Sequence, residues 1–446
     1  MADETTGLDY PSRDWTGFFR NHFGPSMLWA LIGIGGSHIV LAPTLGGTFG
    51  LVAIWMFGLV YLVKYGGWEL GIRYNYGIGG NPIEAYDQLP GPNDWALWLT
   101  FLIFTVAYTG LIAAVGTSTA AFFAAVTGIG SQASFVLLVG LAAGFVLSFD
   151  YSLVERTLLV FTASLAVLLL VGVVTGPPSG TVVAETLVGF PENRGPTSPL
   201  FVGLLASAAG FAPTGFSTSV LIGSWSMAKR QGARQLRERG LDPEDPAPHE
   251  YIAEWIRTGK RDFRIGYLFS FLLIAAMVVL ASNVLFPDPP TDGNLALALG
   301  TILQESLGPW ARWAMIVGAF AALYSTVITL IDGSTRAAAR ILPMALDDET
   351  AVDRRRFRRG LIVVQALVAI GLIAVLGLSP VTFIVWIAAT LAVVEVFFYP
   401  ANWYVVERNL PDRFRPSRRW QAYYAISLVF VLVFGGMGAA TQLGVI

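Results

Sequence analysis

Two stretches of this chain bring together residue types that can hold a small solute away from water. The first reads Gly33-Ile34-Gly35-Gly36-Ser37-His38-Ile39-Val40-Leu41-Ala42-Pro43 and offers an imidazole, a hydroxyl and several peptide groups. The second reads Ala209-Gly210-Phe211-Ala212-Pro213-Thr214-Gly215-Phe216-Ser217-Thr218-Ser219 and offers hydroxyls around a proline. Both lie inside long apolar runs, where Gly and Pro weaken a helix by about 1 and 3 kcal/mol. Peptide groups freed at membrane depth must find partners inside the protein or in a watered cavity. Gly35, Gly36, Ser37, His38, Ala212, Pro213, Thr214 and Ser217 are therefore candidate substrate-binding residues. His38 can supply a nitrogen ligand and titrates near neutral pH. Glu395 is the carboxylate placed deepest in an apolar run, where a charge is costly and marks a functional position. With His38 it is a candidate metal ligand; alternatively it carries a coupling proton.

The elements that position these residues are membrane helices. The chain has 446 residues, 54% hydrophobic and 13% charged, and a mean hydropathy of +0.62. A soluble domain is typically roughly 25% charged. A spanning helix needs about 20 mostly apolar residues, and about eleven such segments can be marked on that rule. They run over 25–47, 49–72, 95–122, 133–149, 152–175, 200–227, 264–285, 309–333, 360–377, 381–405 and 420–443. The 48 Gly and 13 Trp suit such a bundle, since Gly permits close helix approach and Trp collects at interfaces. A fold follows: an all-α membrane protein whose cytoplasmic segment 1–24 precedes one transmembrane domain, 25–446.

The breaks fall in the first and sixth spans. Two interrupted helices in corresponding places point to a transporter built from inverted repeats. Spans 1–5, about 25–175, form one repeat, and spans 6–10, about 200–405, form the other. The odd offset of five helices inverts the second repeat, and the helix at about 420–443 is an addition.

Charge orients the bundle. With a cytoplasmic N-terminus, 25 of the 28 Lys and Arg residues fall on the cytoplasmic side, as cytoplasmic loops require. That places the C-terminus outside and the protein in the plasma membrane. The first 24 residues lack an apolar core, so no cleavable signal is expected. Residues 231–262 read as a polar connector with a short helix near Tyr251–Arg257. Lys64 is expected to snorkel to the cytoplasmic face, Glu69 and Glu155 to be exposed near helix ends, and Asp332 to pair with Arg336 one turn on.

Several function classes are excluded. A net charge of −2 gives no general basic field for nucleic acid. With no cysteine, disulfides, thiol nucleophiles and iron–sulfur clusters are absent, and with three His a multi-His metal site is not expected. No phosphate-binding loop, nucleophile elbow or His-Glu-x-x-His motif occurs, so neither an enzyme nor a cofactor is expected. The partners are a small ion or solute and the lipid bilayer, with a coupling proton or sodium. The two breaks are uncharged apart from His38. Half-helix N-termini favour anions, so a small anion or polar organic solute stays open beside a cation. So does a non-transporting sensor on the same scaffold.

Further stretches carry a family likeness. Gly24-Pro25 precedes the first break and Thr48-Phe49-Gly50 follows it. Val115-Gly116 and Phe122 to Gly128 end the third span. Tyr151-Ser152-Leu153-Val154-Glu155-Arg156 leads into the fifth, and Leu323-Tyr324-Ser325-Thr326-Val327-Ile328-Thr329 lies in the eighth. In order and spacing over spans 1–10 these resemble the Nramp (natural resistance-associated macrophage protein) family of divalent-metal transporters, within the leucine-transporter-type fold. The resemblance implies a secondary active transporter that moves manganese, iron or magnesium by alternating access, coupled to an ion or proton. At the family's Asp-Pro-Gly-Asn motif this chain has Gly35-Gly36-Ser37-His38. At its Met-Pro-His motif stands Ala212-Pro213-Thr214, and at its acidic pair in span 3 stand Gly110 and Ala113. The resemblance also implies that span 10 approaches the substrate, so Glu395 can partly replace the missing Asp. Ser325, Thr326 and Thr329 resemble the span-8 hydroxyls that bind sodium in sodium-coupled relatives of the fold.

Overall fold

The computed structural model describes residues 8–148, 152–218, 222–223, 226, 229–242, 245–246, 248–348, 350, 352–377 and 379–445. Its regular structure is helical, with no strand among the described residues. Nine helices among them are long and apolar enough to cross a membrane. In chain order they are Trp95–Thr127 (span 3), Ser131–Ser148 (span 4), Arg156–Thr175 (span 5) and Pro199–Thr218 (span 6). His249–Val284 (span 7), Pro309–Ala345 (span 8), Arg354–Leu376 (span 9), Pro380–Asn409 (span 10) and Arg418–Gln442 (span 11) follow. Before them come the 27-residue helix Val52–Ile78 (span 2) and a discontinuous run, 25–49 (span 1). Eleven segments thus stand where apolar runs of the required length predict them, and the discontinuous ones are the first and sixth.

Two boundaries differ from the sequence reading by more than ten residues. Span 7 begins at His249 rather than near 264 and is 36 residues long. The short helix expected near Tyr251–Arg257 is its first part. An apolar run marks only the stretch that meets lipid. Beyond it, Tyr251, Ile252, Trp255 and Ile256 make a buried stripe that keeps the helix folded against the bundle. Span 8 likewise continues to Ala345, through Pro343. The part of the expected sixth span beyond Thr218 lies largely outside the described residues, as do Tyr151 and the side chain of Glu155.

Contacts gather the basic segments at one end of the bundle. There Glu84, after span 2, meets Arg237 at 3.5 Å and Arg340 of span 8 at 2.6 Å. Arg13 meets Glu250 at 2.5 Å, and Arg413 meets His249 at 2.9 Å. Asp332 takes Arg336 at 2.9 Å, the one-turn pair expected, and also Arg358. At the other end Arg194 donates to the Thr48 carbonyl at 2.7 Å and the Pro287 carbonyl at 3.1 Å.

Glu69 corrects an expectation of exposure. It is buried and held by Arg73 at 2.7 Å, by Lys260 and by the Tyr424 hydroxyl. Arg73 in turn donates to the Phe414 carbonyl at 2.6 Å. Span 2 is enclosed along most of its length, so a charge on it has no lipid-facing route to water and must be met by protein.

Candidate functional site

Span 1 starts with Pro25, whose fixed φ suits a first helical turn, and its first piece ends at Ile32. Regular bonding lapses over 33–36, where Gly35 N donates to the Gly33 carbonyl at 2.7 Å. A π-helical turn, Ser37–Leu41, and the helix Ala42–Phe49 then complete the span. Gly35 is required by a close approach: a Cβ there would lie 2.6 Å from Thr326 Oγ1 of span 8.

Span 6 is helical over Pro199–Phe211, extended around Ala212, and resumes as a short 3-10 turn, Phe216–Thr218. Pro213 causes the break, because it has no N–H to give the carbonyl four residues earlier. That carbonyl, of Ala209, accepts instead from Lys64 Nζ at 2.8 Å, and the Thr214 carbonyl accepts from the same ammonium at 2.8 Å. Beyond the break, Phe216 N donates to both carboxylate oxygens of Glu395, at 3.0 Å each. Lys64 therefore does not snorkel outward; it is 1% exposed and turned into the bundle. The orphaned carbonyls explain this, since an unpaired carbonyl in lipid costs several kcal/mol and an ammonium is a strong donor.

The two breaks face one cavity. Gly33, Gly35 and Gly36 line it from span 1, Thr214, Ser217 and Thr218 from span 6, and Thr326 and Thr329 from span 8. Trp29, Tyr108 and Phe211 supply aromatic walls. The hydroxyls are tied together. Trp29 Nε1 donates to Thr214 Oγ1 at 3.1 Å, Thr214 and Thr218 hydroxyls are 2.8 Å apart, and the Tyr108 hydroxyl sits 2.7 Å from Ser217 Oγ. Such a cavity offers oxygen ligands and ring faces but no carboxylate, imidazole or thioether among its lining residues.

The sequence candidates divide accordingly. Gly35, Gly36, Thr214, Ser217, Thr326 and Thr329 come together on the cavity wall. Ala212 and Pro213 make the break, and Ser325 is buried in span 8 off the lining. Ser37 bonds the neighbouring His38 ring at 3.0 Å. His38 Nε2 turns toward span 7, 3.2 Å from the Ser270 carbonyl and 3.1 Å from its hydroxyl. The Ser270 hydroxyl is 2.8 Å from the Tyr61 hydroxyl. His38 thus sits on the face of span 1 away from the cavity, and Glu395 sits behind the break rather than in the wall. No group of three His, Cys, Asp or Glu side chains able to hold a metal occurs among the described residues. Lys64, Trp29 and Tyr108 were not anticipated. The missing partner that Pro213 creates was the one signal that pointed to Lys64.

Comparison with known proteins gives a consistent picture. A family profile described as Natural resistance-associated macrophage protein-like matches residues 52–441. An uncharacterized protein of Pasteurella multocida (strain Pm70) is 23% identical over 334 residues, covering 72% of this chain and 71% of that one. A mutant form of the Eremococcus coleocola manganese transporter superposes with a TM-score of 0.73 at 14% identity, covering 98% of this chain and 89% of that one. The same transporter in complex with an aromatic bis-isothiourea substituted compound gives a TM-score of 0.71 at 14% identity, with 99% and 91% covered.

Proposed function

Because the chain belongs to the Natural resistance-associated macrophage protein-like family, a family of membrane metal-ion transporters, we propose that it moves a divalent cation through the cavity between its two broken helices by alternating access. The observation that carries this reading is the convergence of both breaks on one cavity, whose largely apolar wall carries hydroxyls from spans 6 and 8. The hydroxyls that reach this otherwise largely apolar wall suit a hard ion such as manganese, iron(II) or magnesium, and an ion of this kind keeps several waters when protein oxygens are few. Gly35, Gly36, Thr214 and Ser217 contact the hydrated ion, Ala212 and Pro213 shape the break, and Ser37 and His38 fix the span-1 turn against span 7.

Coupling is to a proton or to sodium. Ser325, Thr326 and Thr329 are the sodium candidates, and Glu395 is the proton candidate. The chain works as a single domain of two repeats in the plasma membrane, its N-terminus and basic loops cytoplasmic and its C-terminus outside, in keeping with the charge rule.

Proteoliposome uptake of manganese, iron(II) and magnesium, driven in turn by a pH and a sodium gradient, tests the proposal. Saturable, gradient-driven uptake of at least one of the three is expected. A folded protein that takes up none of them overturns it. A second reading, carriage of a small polar organic solute, is favoured by the Trp29, Tyr108 and Phe211 walls and the uncharged lining. Saturable uptake of a neutral solute without any divalent uptake is the outcome that selects it.

A further inference from the structure

We propose that Lys64 and Glu395 are paired positioning residues that keep span 6 broken when no solute is bound, whatever that solute is. In an unbroken helix the Ala209 carbonyl would accept from residue 213 and the Phe216 N–H would donate to the Ala212 carbonyl. Pro213 removes the first bond, and the extended backbone at Ala212 removes the second. Side chains from two other helices replace them. Lys64 of span 2 caps the carbonyl end at 2.8 Å, to Ala209 and to Thr214. Glu395 of span 10 caps the N–H end at 3.0 Å. Each charge stands at the helix end whose dipole it complements, a cation at carbonyls and an anion at an N–H.

The two side chains also line one small cavity with Ala209 and Ala392. Neither lines the larger cavity where the solute is placed. Lys64 Nζ additionally lies 5.3 Å over the Phe216 ring, which fixes the turn that follows the break. The opposite charges line the same small space, so neither is left uncompensated. The exposed peptide groups at the break are thus satisfied by the chain itself, and the solute is not needed to hold the cavity open. Solute affinity is then free of the work of unwinding the helix.

Hydrogen–deuterium exchange of the stretch 206–218 in purified, solute-free protein tests this, together with manganese uptake in proteoliposomes. Lys64→Met/Glu395→Met removes both caps and leaves no lone buried charge, so the protein folds. Exchange over 212–218 is expected to rise about tenfold or more, the protection that charge-assisted bonds supply, with span 8 unchanged. The KM for manganese rises. Lys64→Arg retains wild-type exchange and KM, because a guanidinium also donates to carbonyls. The swap Lys64→Glu/Glu395→Lys keeps the charges opposite but faces a carboxylate to carbonyls, and is expected to behave like the double Met variant. Wild-type exchange in the double Met variant, or full recovery in the swap, overturns the proposal. If the wild type carries none of manganese, iron(II) and magnesium, the transport reading fails, and the exchange measurements still decide this one.

Discussion

Gly210 is the tightest point between the two helices that frame the break, and Gly210→Ala tests the packing directly. A Cβ there would press on the Ala388 carbonyl oxygen and lie 2.5 Å from Ala392 N, both backbone atoms of span 10. Ordinary contact starts at 3.4 Å and the carbonyl oxygen is the nearer of the two atoms, so the helices must part by more than about 0.9 Å. That movement stretches the Ser207 Oγ to Val385 carbonyl bond from 2.7 Å to more than about 3.6 Å, beyond hydrogen-bond range. Losing it costs about 1 kcal/mol, and overpacking against rigid backbone adds about 1–3 kcal/mol. The expected destabilisation is therefore about 2–4 kcal/mol. It is read as a lower thermal midpoint in detergent, with uptake reduced because Glu395 rides on the displaced helix. Gly140→Ala is the control: nothing lies within 4 Å of its Cβ position, so stability holds or improves slightly. A Gly210→Ala protein that melts with the wild type refutes the span 6–span 10 geometry.

Other perturbations probe separate parts of the molecule. Ser217→Ala removes the partner of the Tyr108 hydroxyl at 2.7 Å; KM for the transported ion rises about fivefold, the worth of a hydrogen bond of about 1 kcal/mol, with the thermal midpoint unchanged. Glu69→Gln leaves the buried Arg73 and the largely buried Lys260 without their shared anion, so denaturation in detergent shows a loss of about 3–5 kcal/mol. At the N-terminal segment, His22 Nε2 accepts from Ser12 N at 2.9 Å, which only the neutral ring can do. Burial first and Lys229 second hold its pKa below the ordinary histidine value. Its folded value thus lies below the unfolded one, so the contact is intact above about pH 6.5 and lost as pH falls through the folded value. Limited proteolysis within 9–23 speeds up between about pH 7.5 and about pH 5, and His22→Gln flattens that dependence.

What could be read from residue order was set by composition along the chain, and what could not was set by which way a side chain turns. The glycines of 33–36 and Pro213 declare their breaks locally, because the backbone itself carries the defect. The cavity hydroxyls followed, since Thr214, Ser217, Thr326 and Thr329 lie on or opposite those breaks. His38 shares the first stretch, yet the π turn beginning at Ser37 changes the angle between neighbours and directs the ring to Ser270. Lys64 and Glu69 misled for a related reason. A single charge in an apolar run reads alike whether it leaves toward water or enters the bundle, and only the burial of span 2 on most sides decides. The inner reach of span 7 was hidden because its first turns are amphipathic rather than uniformly apolar.

The carboxylate of Asp262 on span 7 accepts from Gly24 N at 3.0 Å and from Ser26 N at 2.9 Å, at the very start of span 1. Its two oxygens rivet an eight-residue stub to a 36-residue rod. Any tilt of the rod drags the stub along, while the glycines after Ile32 act as the elbow. The lower arm of the first helix is therefore tethered to the seventh, and freeing it alone means snapping both bonds.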